Sequence, residues 1–450
     1  MNIHLIAIGG SAMHNLALAL HHQGHTVSGS DDEIFEPSRS RLSKAGLLPT
    51  EIGWDAQRIH EGLDMVVLGM HAREDNPELI AARQKNLKIV SYPEFIYEIS
   101  KNKTRVVIGG SHGKTSITSM VLHVCHYTGL EIDYLVGAQL EGFERMVHIT
   151  KENEFILIEG DEYLSSPIDR RPKFHLYRPN IALLSGIAWD HINVFPSFEN
   201  YLEQFELFLE TIEPGGALVY FSPDENLRSI VEEKNHFFKK FPYETPDWQL
   251  TDDHVVIDFP EFQVPVKVFG AHNVANIEGA RLICNQLGIQ NEDFYEAITS
   301  FEGAQKRLEV IYENEDNIVF LDFAHAPSKV KATAEALKSR YTHKKVYAVL
   351  ELHTFSSLNP DFLPQYAGTL DAVDCAWVFY NPEAVAHKKL PPLSASDVQE
   401  AFKRDVRVFT KSELLFADIQ HTVEESQEPT ALVLMSSGNF ANYPVREFEL

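Results

Sequence analysis

The sequence predicts an α/β protein of three domains: a Rossmann-like N-terminal domain, a central ATPase-type domain on a parallel sheet, and a C-terminal Rossmann-like α/β domain. Three observations carry this expectation. Short β-branched runs alternate with amphipathic stretches, the βαβ rhythm that places crossover helices over a parallel sheet. The rhythm stops and restarts twice, near residues 103 and 300. Finally, 450 residues exceed what one hydrophobic core sustains, at roughly 150 residues per domain.

In the first domain, residues 1–103, strands are expected at 3–8, 26–30, 64–69 and 88–90, with a helix at 13–23. The polar patch Ser100, Lys101, Asn102 and Lys103 closes it. The second domain, 104–300, opens with a strand at 104–108 that runs into glycines, followed by apolar runs at 155–158 and 181–184 and helices at 198–209 and 273–287. The third, 301–450, restarts with a strand at 318–323 and a helix over 327–339, then strands at 345–350, 375–379 and 431–435. Proline fits the first position of that helix, because its fixed φ suits the helix and its missing N–H would be unpaired there anyway.

Lys plus Arg number 39 against 65 Asp plus Glu, a formal charge of -26. A surface so acidic repels polyphosphate chains and anionic lipid, which argues against nucleic-acid wrapping and membrane binding. Cys125, Cys284 and Cys375 stand apart with no CxxC spacing, as in a reducing compartment. No stretch approaches a membrane span, and the opening MNIHLIAIGG lacks a basic leader. A soluble cytoplasmic chain is expected, as a monomer or weak homodimer.

The sharpest local signal is VVIGGSHGKTSITSM, a strand that turns through Gly110, Ser111, His112 and Gly113 into Lys114, Thr115, Ser116 and a helix. Glycines let backbone N–H groups face an anion, and the helix N-terminus adds positive partial charge. Lys114 can reach β- and γ-phosphates, and Thr115 can hold Mg²⁺. The generic GxxxxGK[ST] pattern fails at its first glycine, where Ile108 stands, leaving a more compact loop. Next, FILIEGDEY ends an apolar strand at Glu159, and IALLSGIAWDH ends another at Asp190 and His191. Groups at the carboxyl ends of parallel strands face the crevice where ligands bind, and carboxylate oxygens suit Mg²⁺.

Three further segments are weaker on their own. FGAHNVANIEGA puts His272, Asn273 and Asn276 at a helix start, where the amides could meet an adenine edge or cap the helix. GAQKRLEV places Lys306 and Arg307 at a domain junction, and VFLDFAHAPSKV ends a strand at Asp322 and His325. An acid there can bind ribose hydroxyls or cap the following helix. At the N-terminus IAIGGSAMHNLALAL is a glycine turn between strand and helix, but Ser11, Ala12 and Met13 after Gly9 and Gly10 break the GxGxxG fingerprint.

Taken in order, GGSHGKTS, EGDEY, WDH, AHNVANIEGA, QKRLE and DFAHAP resemble the motif series of the Mur ligase family, over essentially the whole chain. That resemblance implies an ATP- and Mg²⁺-dependent ligase forming an amide bond in peptidoglycan precursors. It implies that Lys114 and Thr115 bind ATP phosphates and Mg²⁺, with Glu159 and His191 on the metal. His272, Asn273 and Asn276 would lie on the adenine side, and Arg307, Asp322 and His325 at the nucleotide. The first domain resembles the UDP-N-acetylmuramate module, implying substrate contacts at Gly9, Gly10, Ser11, Ala12, Met13, Ser30, Asp31 and His71. Two members use that sugar with such a module, one adding L-alanine and one adding L-alanyl-γ-D-glutamyl-meso-diaminopimelate. The 32-residue step from Glu159 to His191, with its DRRPKFHLYRP stretch, resembles the tripeptide-adding member. A nucleotide-sugar sensor without ligase activity is the reading from another class, disfavoured by the complete phosphate and metal set.

Three departures bear on the substrate. No lysine occurs between His191 and Lys234, so the carbamylated lysine of some members is absent. Ala326 stands where a second histidine is usual. ELHTFSSL at 351–358 lacks the arginine that both kinds of ligase carry in that segment, leaving His353, Thr354 and Ser356 as candidates for the acceptor's carboxylates. MSSGNFANYP resembles the family's late glycine-rich loop.

Overall fold

The computed structural model describes residues 1–137, 143, 145–251, 254–260, 262–303 and 307–450, so Lys306 lies outside the described residues. By internal contacts the chain divides into two units. The first comprises Met1–Ile187, Leu202–Tyr243 and Gly279–Asn291; the second comprises Ala188–Tyr201, Glu244–Glu278 and Glu292–Leu450.

The first unit carries two sheets. Strands β1 (Asn2–Ile6), β2 (Thr26–Ser30), β3 (Met65–Leu68) and β4 (Ile89–Ser91) form a parallel sheet in the order β2-β1-β3-β4. The helix Ser11–His22 follows β1 and packs Leu16, Ala17 and Leu20 inward. Between β3 and β4 the helix Pro77–Gln84 starts on an Asn76 side-chain cap with proline at its first position. Its second residue, Glu78, is fully buried, and so is His4 on β1. Glu78 accepts from His4 Nε2 at 3.1 Å, from the Asp55 backbone N–H at 2.9 Å and from the Ser30 hydroxyl, and Arg58 lies 3.6 Å away. A charge inside a small domain is tolerated because every side of the carboxylate meets a donor.

The second sheet joins β5 (Thr104–Gly109), β6 (Asp133–Leu135), β7 (Val147–His148), β8 (Phe155–Glu159), β9 (Ile181–Leu184), β10 (Ala217–Phe221) and β11 (Lys239–Tyr243) in the order β11-β10-β9-β5-β8-β6-β7. Only the β6–β7 pair is antiparallel. Val106, Val107, Ile108, Leu157 and Leu183 have no exposed surface. Burial on both faces explains why β5, β8 and β9 read as unbroken apolar runs.

The second unit holds a small antiparallel sheet of β12 (Asp247–Leu250), β13 (Val255–Asp258) and β14 (Gln263–Val266). The sequence reading missed it: its strands have four residues each, with charged or polar residues outward and only Val255, Ile257, Val264 and Val266 buried. The larger sheet takes β15 (Glu309–Glu313), β16 (Asn317–Asp322), β17 (Lys345–Leu352), β18 (Cys375–Tyr380), β19 (Arg407–Phe409) and β20 (Thr430–Met435) in the order β15-β16-β20-β17-β18-β19. All pairs but β15–β16 are parallel. The helix Pro327–Arg340 covers one face through Val330, Ala334 and Leu337, and Ser412–Ser426 the other through Leu415, Phe416 and Ile419. Among the described residues no helix is long and apolar enough to cross a membrane.

Candidate active site

In the first unit β5 ends at Gly109, and the chain reaches the helix Lys114–Thr128 through Gly110 at φ +119° and Gly113 at φ +73°. Both are conformations that L side chains rarely adopt. Space enforces glycine at 110 as well, since a Cβ there would stand 2.3 Å from Ser185 Oγ. Ser185, just past β9, donates its backbone N–H to Gly109 O at 3.2 Å and its hydroxyl to His112 O, and Ser111 N–H donates to Gly186 O at 3.0 Å. The loop is thereby clamped against the neighbouring strand end, leaving a cradle at a helix N-terminus of the sort that holds phosphate.

Lys114 is largely buried, and its ammonium donates to Gly110 O at 2.6 Å and to Glu162 Oε2 at 2.6 Å. Burial pushes its pKa down, but the carboxylates of Glu162, Asp161 and Glu159 outweigh that and hold it above the ordinary lysine value. Thr115 Oγ1 donates to Glu159 Oε1 at 2.7 Å, and Gly137 N–H donates to Glu159 Oε2 at 2.8 Å. A hydroxyl and a carboxylate so paired are hard oxygen donors, a set that fits Mg²⁺. Glu159→Gln removes charge from that set while keeping an acceptor oxygen. We expect the Mg²⁺ concentration at half-maximal rate to rise about tenfold. An unchanged Mg²⁺ titration would exclude Glu159 from the metal's surroundings.

The turn after β1 is also held by a strand end. Gly9 N–H donates to Asp31 Oδ2 at 2.8 Å, and His71 Nδ1 lies 3.0 Å from Asp31 Oδ1. Burial raises the Asp31 pKa, with the His71 and Gly9 hydrogen bonds pulling the other way. Asp31, Asp32 and His71 bring one possible ligand atom each within 4.8 Å of one another. Ser30 is fully buried with its hydroxyl turned to Glu78, so its contribution here is its carbonyl, which accepts from Ala7 and Ile8 N–H. Ser11, Ala12 and Met13 form the first turn of the helix that follows, with Ser11 and Ala12 exposed and Met13 buried.

The remaining predicted residues fall in the second unit. Asp190 is buried and accepts from His191 N–H at 2.7 Å; His191 itself has φ +56°. Burial acts to raise the Asp190 pKa, but His191, Lys329 and His325 hold it below the usual carboxylate range. His325 donates or accepts through Nδ1 at Phe323 O, 2.8 Å away. Burial, reinforced by Lys329, pushes its pKa down to about 4, so its ring is neutral at pH 7 and offers a hydrogen bond rather than a positive charge. Asp322 accepts from Ala324 N–H at 2.7 Å and Leu308 N–H at 2.8 Å; it does not cap the helix Pro327–Arg340, which has no side-chain cap. The Arg307 guanidinium lies 4.8 Å from the Phe323 ring centroid. His272 is lowered in pKa by burial, with Asp322 opposing. Asn273 and Asn276 sit inside the helix Ala271–Gln286, Asn273 Nδ2 donating to Phe269 O at 2.9 Å.

The structure thus brings Lys114, Thr115 and Glu159 into one cluster, and Asp190 with His325 into another. Three participants escaped the sequence reading. Glu162 is the buried partner of Lys114, Ser185 clamps the loop, and Asp224 accepts from Ile187 N–H at 2.6 Å while capping the helix Glu225–Glu232. Asp224 had a local signal, an acid just before a helical stretch, but that signal speaks only of capping.

Residues 2–104 match the family described as Mur ligase family, catalytic domain; 108–284 match the Mur ligase middle domain; and 306–438 match the Mur ligase, glutamate ligase domain. A UDP-N-acetylmuramate–L-alanine ligase of Sulfurihydrogenibium sp. is 32% identical over 381 residues, covering 83% of this chain and 81% of that one. The UDP-N-acetylmuramate–L-alanyl-gamma-D-glutamyl-meso-2,6-diaminoheptandioate ligase of Escherichia coli is 28% identical over 365 residues, covering 78% of this chain and 79% of that one. The crystal structure of a murein peptide ligase from Psychrobacter arcticus superposes with a TM-score of 0.69 at 22% identity, covering 99% of this chain and 98% of that one.

Proposed function

The chain belongs to the Mur ligase family of ATP-dependent amide-bond ligases, and we propose that it joins L-alanyl-γ-D-glutamyl-meso-diaminopimelate to UDP-N-acetylmuramate in peptidoglycan recycling. The observation that carries the acceptor is the segment between Glu159 and His191. Its residues 164–172 fold back on themselves through the Leu164–Pro172 bridge, and Arg171 reaches Glu94 of the first domain at 3.2 Å as well as Asp169 at 2.6 Å. Lys173 pairs with Asp161 at 2.6 Å. The insertion is therefore an ordered element next to the EGDEY strand end, in the place where the tripeptide-adding ligases carry theirs.

In this reading an oxygen of the lactyl carboxylate attacks the γ-phosphorus of ATP as the bond to the bridging oxygen breaks, giving an acyl phosphate and ADP. The acceptor's amine nitrogen then attacks the acyl carbon, loses a proton and expels phosphate. Lys114 and the loop N–H groups neutralise charge on the transferring phosphoryl group, where positioning and electrostatics supply most of the catalysis. Mg²⁺, when bound, adds charge neutralisation; Thr115, Glu159 and His191 are the residues that would hold it. Arg307, Asp322, His325, His272, Asn273 and Asn276 are assigned to the nucleotide, and Gly9 to Met13 with Ser30, Asp31 and His71 to the UDP-sugar.

The L-alanine ligase reading is favoured by the 32% identical relative. Phosphate release from ATP, Mg²⁺ and UDP-N-acetylmuramate, measured in parallel with tripeptide or L-alanine, separates the two. Turnover with tripeptide and not with L-alanine is expected; the reverse would transfer the chain to the alanine-adding class, and silence with both would favour a sensor.

A further inference from the structure

In the large sheet of the second unit the chain order breaks at β20, the last strand, which lies between β16 and β17. Ligands of open α/β sheets bind outside the carboxyl ends of the strands where the order breaks. Two loops leave β17 and β20 side by side there, and one carboxylate ties them together. Glu351 is only 2% exposed, and its Oε2 accepts from Phe440 N–H at 2.9 Å and from the Ser436 hydroxyl, whose oxygen in turn accepts from Gly438 N–H at 2.7 Å. Its other oxygen lies 3.7 Å from His353 Nδ1. Gly438 lies flat against that imidazole, so a Cβ at 438 would come within 2.7 Å of His353 Cγ and Nδ1. Beside these groups, Ser437 Oγ is buried with no hydrogen-bond partner among the described residues.

His353 is the member of this cluster that faces solvent, with 40% of its side chain exposed. Its ring is fixed on one side by the Gly438 backbone and on one edge by Glu351, which leaves the other edge as a donor pointing away from its own carboxylate. We propose that His353 is the specificity-determining contact for a carboxylate of the amine acceptor, with Glu351 as the positioning residue that sets the imidazole and the 436–440 loop. The inference rests on the ligase reading above, and it names the acceptor's carboxylate as the recognised group. A chain of charge -26 needs a specific donor for an anionic acceptor, because its general field repels one.

The test is a steady-state comparison of wild type, His353→Gln, His353→Arg and Gly438→Ala, with KM measured separately for tripeptide, L-alanine, ATP and UDP-N-acetylmuramate. His353→Gln should raise the KM of the productive acceptor at least tenfold, while kcat at saturating acceptor and the two nucleotide KM values stay within about threefold. His353→Arg should restore that KM, since a guanidinium donates to carboxylates. Gly438→Ala, which displaces the ring without removing it, should reproduce the Gln effect. Unchanged acceptor KM in His353→Gln, or an equal rise in KM for ATP, would overturn the proposal. If only L-alanine is turned over, the tripeptide reading fails, and the same KM ratio for L-alanine still decides the role of His353. A wild type that uses and binds neither acceptor overturns both.

Discussion

Lys114→Ala is expected to lower kcat by about 10³-fold or more, with the affinity for UDP-N-acetylmuramate in the first domain unchanged. Lys114 is the buried cation at the mouth of the phosphate loop, and no arginine or second lysine is hydrogen-bonded to Gly110 O or Glu162 among the contacts that define it. In a dry site its charge acts on the transferring phosphoryl group at low effective dielectric, so a neutral replacement loses most of the stabilisation. The same change leaves Glu162, 2% exposed, without its ion-pair partner, so instability could mimic loss of catalysis. Lys114→Ala combined with Glu162→Gln removes both charges and separates the two effects: folding should recover while turnover stays lost. Wild-type turnover in a folded Lys114→Ala protein would reject the phosphate-loop assignment. Acid–base control by Lys114 is not expected near neutrality. Its folded pKa lies above 10.5, so the stabilisation from its pairing is complete below that value and is lost only as pH rises through the higher folded one.

The contrast between Lys114 and Glu162 shows what the sequence could and could not reveal. Lys114 is legible because strand, glycines, lysine and helix are contiguous, and each has one physical job. Glu162 lies 48 positions on, and its EGDEY setting reads equally well as a solvated acidic turn until β5 and β8 are seen to be adjacent. The strands were legible for a related reason. β5, β8 and β9 are buried on both faces and leave unbroken apolar runs, whereas β12 to β14 alternate over four residues each and look like polar loop. Asp322 shows a third limit. Its place at a strand end was readable, but its work of holding the Leu308 and Ala324 N–H groups depends on a chain crossing that local sequence does not encode. In the same way the link between ELHTFSSL and MSSGNFANYP passes through Glu351, 85 positions from the serine it bonds.

The largest stability effect is expected at Glu78, whose surroundings local sequence also conceals. Asn76, Pro77 and Glu78 read as an ordinary helix start, with cap, proline and an acid in the first turn. What makes Glu78 different is His4, 74 positions earlier, together with Ser30 and the Asp55 N–H, all converging on a carboxylate with no solvent contact. Glu78→Ala would leave these donors and Arg58 facing an empty, buried space, and we expect a loss of about 3–5 kcal/mol in the unfolding of the first domain. Glu78→Gln keeps an acceptor oxygen and should cost less. The pH dependence has a defined sign. Burial acts to raise the Glu78 pKa, but the hydrogen bonds from His4, Asp55 and Ser30 bring it below 4.5, so its stabilisation is present above 4.5 and lost as pH falls through the folded value. The gap between wild type and Glu78→Ala in urea midpoints should therefore be widest near neutrality and narrow on acidification. Equal midpoints at neutral pH would mean that the network is a bystander. Because Ser30 carries the carbonyl that receives the Ala7 and Ile8 N–H groups, a loosened Glu78 should also raise the KM for UDP-N-acetylmuramate while leaving that for ATP alone, linking core stability to the sugar-nucleotide turn.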